Sequence, residues 1–145
     1  MECVFTLVAF GLGFLVAQLW KMVSGLVSGK KVSAKEAIRQ FSRSGGMPSG
    51  HTASMTAATI YLGCVNGFGS SLFALALCIW MIVVYDATHV RYAVGRQGRA
   101  LNELLVQDAK AELPLVEGHT VPQVIVGAVI GVIIGLGMAG LTGVL

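Results

Sequence analysis

Residues 121–145 read VPQVIVGAVIGVIIGLGMAGLTGVL, a run without a single charged side chain. About 20 apolar residues in a helix cross the ~30 Å hydrocarbon core of a bilayer, so this stretch predicts a membrane-spanning helix. The composition agrees, because 55% of the 145 residues are hydrophobic and only 12% are charged. Soluble domains carry about 25% charged residues. We therefore expect an integral membrane protein whose residues 1–145 form a single domain.

Three further stretches suit spanning helices. Residues 3–20 and 72–85 are apolar, and residues 48–65 are rich in Ala, Ser, Thr and Gly. Small and hydroxylated residues favour a helix packed inside a bundle rather than one that faces lipid. Residues 3–20 lack the basic start and the cleavage site of a secretion signal, which indicates a retained helix. The sequence predicts an all-α membrane bundle of about four spanning helices.

The charged segments between these spans have helical patterns of their own. Residues 32–41 and 90–106 alternate apolar and charged positions at helical spacing, which predicts one or two amphipathic helices at the membrane interface. The positive charges lie in only two loops: Lys21, Lys30, Lys31, Lys35, Arg39 and Arg43 in the first, and Arg91, Arg96, Arg99 and Lys110 in the second. The positive-inside rule then puts both loops in the cytoplasm and both termini outside, with the cell membrane as the expected location.

Two histidines stand in short polar breaks beside apolar segments. His51 lies in SGGMPSGHT, residues 44–52, and His119 lies in EGHTVPQ, residues 117–123. Proline suits the first turn of a helix, and Pro48 and Pro122 are in place for that role. A helix N-terminus with free N–H groups binds anions, and glycines leave those groups unshielded. Both histidine loops are expected on one membrane face, where two helix N-termini would attract a phosphate.

Several side chains could hold that phosphate. The cations are Lys21, Arg43, Arg91 and Arg96, and the glycine amides of Gly45, Gly46 and Gly50 could add donors. Arg91 is the best cation because it and Asp86 interrupt an apolar run at membrane depth, where ionisable residues are costly. The alternative is an Asp86–Arg91 salt bridge that anchors a helix end. Ser49 could bind phosphate or cap a helix, and Lys21 could extend towards the interface from the first helix.

Other features have simpler interpretations. His89 is more typical of an interfacial group than of a catalyst. Cys3, Cys64 and Cys78 lie in apolar stretches without metal-binding spacing, so neither a metal, a cofactor nor a disulfide is expected. Gly127, Gly131 and Gly135 form overlapping GxxxG patterns, which indicate either a homodimer interface or close packing within the bundle.

These motifs together resemble a known family. MPSGH at residues 47–51 and the His119–Gly127 segment look like the second and third motifs of the type-2 phosphatidic acid phosphatase and vanadium haloperoxidase superfamily. The wider pattern, which adds YDA at 85–87, VR at 90–91, LN at 101–102 and GHT at 118–120, is similar to its divergent, YuiD-like branch. The resemblance runs from about Ala17 to Gly135.

The resemblance implies specific roles. His119 would attack phosphorus and form a phosphohistidine, and His51 would protonate the leaving oxygen and then activate water. Gln123 stands where the superfamily has the aspartate that orients the nucleophile, so Asp86 or Glu117 would have to supply the missing charge. The superfamily's arginine before the third-motif histidine is absent from residues 111–117, and Arg91 is its candidate replacement. Lys21 and Arg43 echo the first motif.

Two functions remain open at this point. The first is a membrane phosphatase that hydrolyses a lipid phosphate, such as phosphatidate or a polyprenyl phosphate or diphosphate. The second is a non-catalytic protein that binds a phospholipid headgroup, moves lipids or acts as a scaffold; Gln123 and the missing arginine support it. Either way, the expected partner is membrane lipid, and no nucleic acid is expected.

Overall fold

The computed structural model describes residues 1–27, 46–107 and 118–145. Five α-helices and one wide helical turn make up this part of the chain. They are α1 (Glu2–Val27), α2 (Gly50–Asn66), α3 (Ser71–Tyr85), the wide turn (Asp86–Val90), α4 (Arg91–Gln107) and α5 (Val121–Leu141). The predicted all-α membrane bundle is confirmed. The interfacial helix predicted at residues 32–41 lies outside the described residues.

Helix α2 is the centre of the bundle, as its small and hydroxylated residues predicted. It contacts α1, α3 and α5. Two of its hydroxyls bond to its own backbone: Thr56 donates to the Thr52 carbonyl at 2.7 Å, and Ser54 donates to the Gly50 carbonyl at 2.9 Å. Trp80 of α3 donates its ring N–H to Thr56 Oγ1 at 2.7 Å. Polar contacts therefore join α2 to α3 inside an otherwise apolar bundle.

The glycine stripe of α5 packs against α2 in the same chain. Cβ atoms built on Gly127 and Gly135 would lie 2.6 Å from the Ser49 carbonyl oxygen and 2.8 Å from that of Ala57. These glycines are buried, so the backbones of α2 and α5 approach closely. The stripe therefore serves close packing within the bundle, which was one of its two interpretations, and a homodimer stays a prediction.

The same contacts give the direction of the two helices. The contacts between α2 and α5 advance in the same direction along both helices, from Ser49 with Gly127 to Ala57 with Gly135, so the helices are parallel. Ser49 N–H donates to the Gln123 carbonyl at 3.0 Å and joins their starts. Both N-termini therefore lie at one end of the bundle, and their partial positive charges add there.

The third helix departs from the prediction. Residues 72–85 and 90–106 were expected to form a spanning helix and a separate interfacial one. The structure instead continues without a break from Ser71 to Leu105, and the wide turn joins α3 to α4. Among the described residues, three helices are long and apolar enough to span a membrane: Glu2–Gly25, Ser71–Leu105 and Val121–Leu141. Helix α2, with 17 residues and a more polar composition, is not among these three.

Candidate functional site

His119 lies just before α5, against the wide turn. Its backbone N–H donates to the Ala87 carbonyl at 2.9 Å. Gly118 fits here because a Cβ would overlap the backbone nitrogen of Tyr92. The His119 side chain is only 3% exposed, and neither ring nitrogen has a hydrogen-bond partner in the described part of the chain. Buried polar atoms are rarely left unpaired, so these two nitrogens indicate a site that is built for a ligand.

His51 lies in the first turn of α2, beside the same site. In contrast to His119, it is exposed. Its ring packs edge-on against Phe14 of α1, with 6.3 Å between ring centroids and an angle of 74° between their planes. A Cβ built on Gly50 would meet the same Phe14 ring at 3.3 Å. Helix α1 thus fixes one side of the His51 ring and leaves the rest of it open.

Lys21 supplies a cation from α1. Its side chain is 8% exposed, and its Cε lies 4.0 Å from a Cβ built on Gly46. Gly46 has a φ of 79°, a left-handed conformation that favours glycine. Gln18, one turn earlier on α1, is 4% exposed. The sequence analysis missed Gln18, although a glutamine three residues before a lysine in an apolar helix is a detectable signal.

Asp86 and Arg91 form an ion pair across the wide turn. Arg91 Nε donates to Asp86 Oδ2 at 2.5 Å, and the two side chains are 41% and 38% exposed. The salt-bridge alternative for this pair is therefore what the structure contains. The pairing does not remove Arg91 from the site, because its charge acts on both His119 and His51.

Two residues assigned to the site serve as helix caps. Ser49 is fully buried and its hydroxyl accepts from Thr52 N at 3.4 Å and from Thr52 Oγ1 at 2.9 Å. Gln123 Oε1 accepts from Thr120 N–H at 3.0 Å. The structure thus does not join Gln123 to the His119 ring, because its amide oxygen caps α5 instead. Pro48 also differs from its predicted place, since it precedes the Ser49 cap and lies outside α2.

The electrostatics of His119 favour its neutral form. Burial, followed by the positive charges of Lys21, His51 and Arg91, lowers its pKa to about 4. A neutral imidazole at physiological pH keeps a lone pair on one nitrogen, as nucleophilic attack requires. The same surroundings attract an anion, because the lysine and arginine charges and two helix N-termini converge there. This combination suits a phosphate that approaches a neutral histidine.

The structure thus brings together His51, His119, Lys21, Arg91 and Asp86, with Gly46 and Gly50 beside them. Arg43, Gly45 and Glu117 lie outside the described residues. His89 stacks on Tyr85, with ring centroids 4.4 Å apart, and is exposed. Within residues 1–27, 46–107 and 118–145, no cluster of three or more His, Cys, Asp or Glu side chains could hold a metal ion.

Comparison with known proteins places the chain in a family. The chain is 40% identical over 62 residues to the uncharacterized membrane protein YuiD of Bacillus subtilis, strain 168. The matched stretch covers 43% of this chain and 39% of YuiD, so it spans well under two thirds of that relative. No solved structure matches the chain significantly. The model of the Divergent PAP2 family matches residues 4–134, and the chain is a membrane protein that belongs to this family.

Proposed function

We propose that the protein is a membrane-embedded phosphatase that hydrolyses a lipid phosphate through a phosphohistidine. One observation carries the proposal: His119 is buried beside the charges of Lys21, Arg91 and His51, and neither ring nitrogen has a partner among the described residues. A buried histidine with a purely structural role normally donates or accepts hydrogen bonds. A bound phosphate would supply the missing partner and neutralise the surrounding positive charge.

In the first step, a ring nitrogen of neutral His119 attacks phosphorus, and the bond from phosphorus to the leaving-group oxygen breaks. Protonated His51 gives its proton to that oxygen. Its exposure supports this role, because the group must reach both the leaving group and water. Lys21 and Arg91 bind the remaining phosphate oxygens, with the Gly50 and His51 amides at the start of α2. Placement and charge stabilisation supply most of the catalysis in phosphoryl transfer.

In the second step, neutral His51 removes a proton from water, whose oxygen attacks phosphorus. The phosphorus–nitrogen bond breaks, inorganic phosphate leaves, and His119 returns to its neutral state. An imidazole can act as the acid in the first half of this cycle and as the base in the second. The reaction uses side-chain cations to stabilise the phosphate.

A second function is favoured by the placement of Gln123. Because its amide caps α5, His119 has no carboxylate or amide on its ring within the described residues. Loss of the orienting aspartate from a catalytic triad costs about 10⁴ in rate. A site that binds a phosphate headgroup without cleaving it needs no such partner. The second candidate is therefore a lipid-binding, lipid-moving or scaffold protein.

The test is phosphate release by purified protein from phosphatidate, polyprenyl phosphate and polyprenyl diphosphate. We expect release that His119→Ala abolishes and that vanadate, a mimic of five-coordinate phosphorus, inhibits. His89→Ala is the matched control because His89 lies outside the site, stacked on Tyr85. Saturable binding of these lipids without turnover, unchanged in His119→Ala, would support the second function and contradict the first.

The orientation of the site remains a prediction. The positive-inside rule puts the end of the bundle that carries His51 and His119 in the cytoplasm. Met47 at this end is exposed, and Phe68 is exposed in the turn at the opposite end. Cysteines introduced at these two positions, in a chain without Cys3, Cys64 and Cys78, should differ in labelling by a reagent that cannot cross membranes. Labelling of the cysteine at position 47 in intact cells would contradict the cytoplasmic site.

A further inference from the structure

The wide turn changes which residues of the third helix share a face. In an α-helix with 3.6 residues per turn, positions five apart differ by about 140° around the axis. In this turn the Arg91 N–H instead bonds to the Asp86 carbonyl, five residues earlier. The extra residue per turn brings residues five apart onto one side, so the Asp86 carboxylate reaches Arg91 Nε. Wide turns of this kind are frequent at functional sites.

The contact with Asp86 uses only part of the Arg91 guanidinium. A guanidinium has five N–H donors, and Nε carries one of them. Because Asp86 takes the Nε donor, the four donors of the two terminal amino groups have no acceptor among the described residues and can bind another group. This geometry fixes the plane of the guanidinium without consuming the pair of donors that suits two oxygens of one phosphate.

The same turn also positions His119. The Ala87 carbonyl, next to Asp86, accepts from the His119 N–H at 2.9 Å. Gly118 packs directly on the backbone of Arg91 and Tyr92. The charges that lower the pKa of His119 are those of Lys21, His51 and Arg91, whereas the Asp86 carboxylate contacts Arg91 and acts through its charge on His51. Asp86 is thus placed to act on Arg91 and not on the His119 ring.

We infer that Asp86 is a positioning residue, which holds Arg91 across the wide turn so that its terminal amino groups face a phosphate beside His119. The inference rests on the proposed function for the presence of that phosphate. It replaces the idea that Asp86 supplies the carboxylate missing from His119. The inference also assigns a role to the wide turn. Its adjacent residues Asp86 and Ala87 hold the cation Arg91 and the nucleophile His119, respectively.

The experiment is a double-mutant cycle of Asp86→Asn and Arg91→Ala, measured by the affinity for inorganic phosphate and by steady-state kinetics. Asp86→Asn should weaken phosphate binding and raise KM by about tenfold, with kcat nearly unchanged. In the Arg91→Ala background, the same change should have almost no further effect, because its target is gone. Glu103→Gln, an exposed acid on α4, is the matched control.

Two results would overturn the inference. One is a large fall in kcat for Asp86→Asn with KM unchanged, which would mean that Asp86 acts on the reacting groups. The other is additive effects of the two substitutions on phosphate affinity, which a general loss of helix stability would give. A wild-type protein that binds phosphate through Arg91 but hydrolyses no lipid phosphate would refute the proposed function alone, because the binding cycle still tests Asp86.

Discussion

The starts of α2 and α5 use the same residue types in a different order. At α2 the cap Ser49 comes first and His51 follows within the helix, where it is exposed. At α5 His119 comes first and the cap Thr120 follows, and His119 is 3% exposed. The two helices are parallel and packed together, so their starts face one site. The order of cap and histidine therefore decides which imidazole meets solvent and which is enclosed.

In the proposed mechanism, this difference gives two otherwise similar motifs different roles. An exposed imidazole exchanges protons with water and with a leaving group, as a general acid and base must. An enclosed imidazole beside two cations stays neutral and keeps its lone pair, as a nucleophile must. Burial, and not the surrounding sequence, distinguishes the two roles.

The largest expected effect comes from removing each histidine in turn. His119→Ala should lower phosphate release by roughly 10⁴-fold or more and abolish the acid-quenched phosphoenzyme, because no nucleophile remains. His51→Ala should lower the rate by about 10²–10⁴-fold. With a leaving group that needs no proton, His51→Ala should still form a phosphoenzyme, which then accumulates. Accumulation in His119→Ala instead would reverse the two assignments.

The next effect concerns the glycine before each histidine. A Cβ on Gly118 would overlap the backbone of Tyr92, which cannot move aside, whereas a Cβ on Gly50 would only press the Phe14 ring at 3.3 Å. Gly118→Ala should displace His119 and lower kcat by about 10²-fold, since small misplacements of reacting groups cost that much. Gly50→Ala should change kcat by no more than about threefold. Gly137→Ala, in open space on α5, is the control. Equal losses in the Gly118 and Gly50 variants would refute the difference in packing.

A third prediction concerns the protonation of His119. Its pKa of about 4 lies below the usual 6.5, so the free protein should keep His119 neutral at pH 5.5, where an ordinary histidine is mostly protonated. Bound inorganic phosphate should raise this pKa, because a nearby negative charge stabilises the imidazolium. Histidine NMR titration in detergent micelles, with His119→Gln to assign the resonance, measures both values. A His119 that titrates near 6.5 without phosphate would contradict the enclosed, cation-lined site.

The sequence predicted the features that depend on local pattern. The length of the apolar stretches predicted the spanning helices, and the small residues of α2 predicted its central place in the bundle. The wide turn at Asp86–Val90 was not predictable, because one extra residue in a turn leaves no local sequence signal while helix continues on both sides of it. Gly118 was also missed as a packing residue, since its contact with Tyr92 joins segments that are distant in the chain. The contact of Gln123 was missed for a different reason. Its position in the motif suggested the His119 ring as its partner, whereas its amide oxygen accepts from Thr120 N–H.

The smallest expected effect tests that last distinction. If Gln123 caps α5 through Thr120, then Gln123→Ala should lower the free energy of unfolding by about 0.5–2 kcal/mol. Gln123→Glu should restore most of it, because glutamate at this position completes the same cap. Activity should change little once folded protein is compared at equal concentration. Thermal unfolding in detergent and phosphate release from the same samples measure the two effects. A loss of activity in Gln123→Ala that exceeds tenfold, without a change in stability, would mean that Gln123 acts on the His119 ring. The start of α5 would then depend on a side chain that has no counterpart at the start of α2.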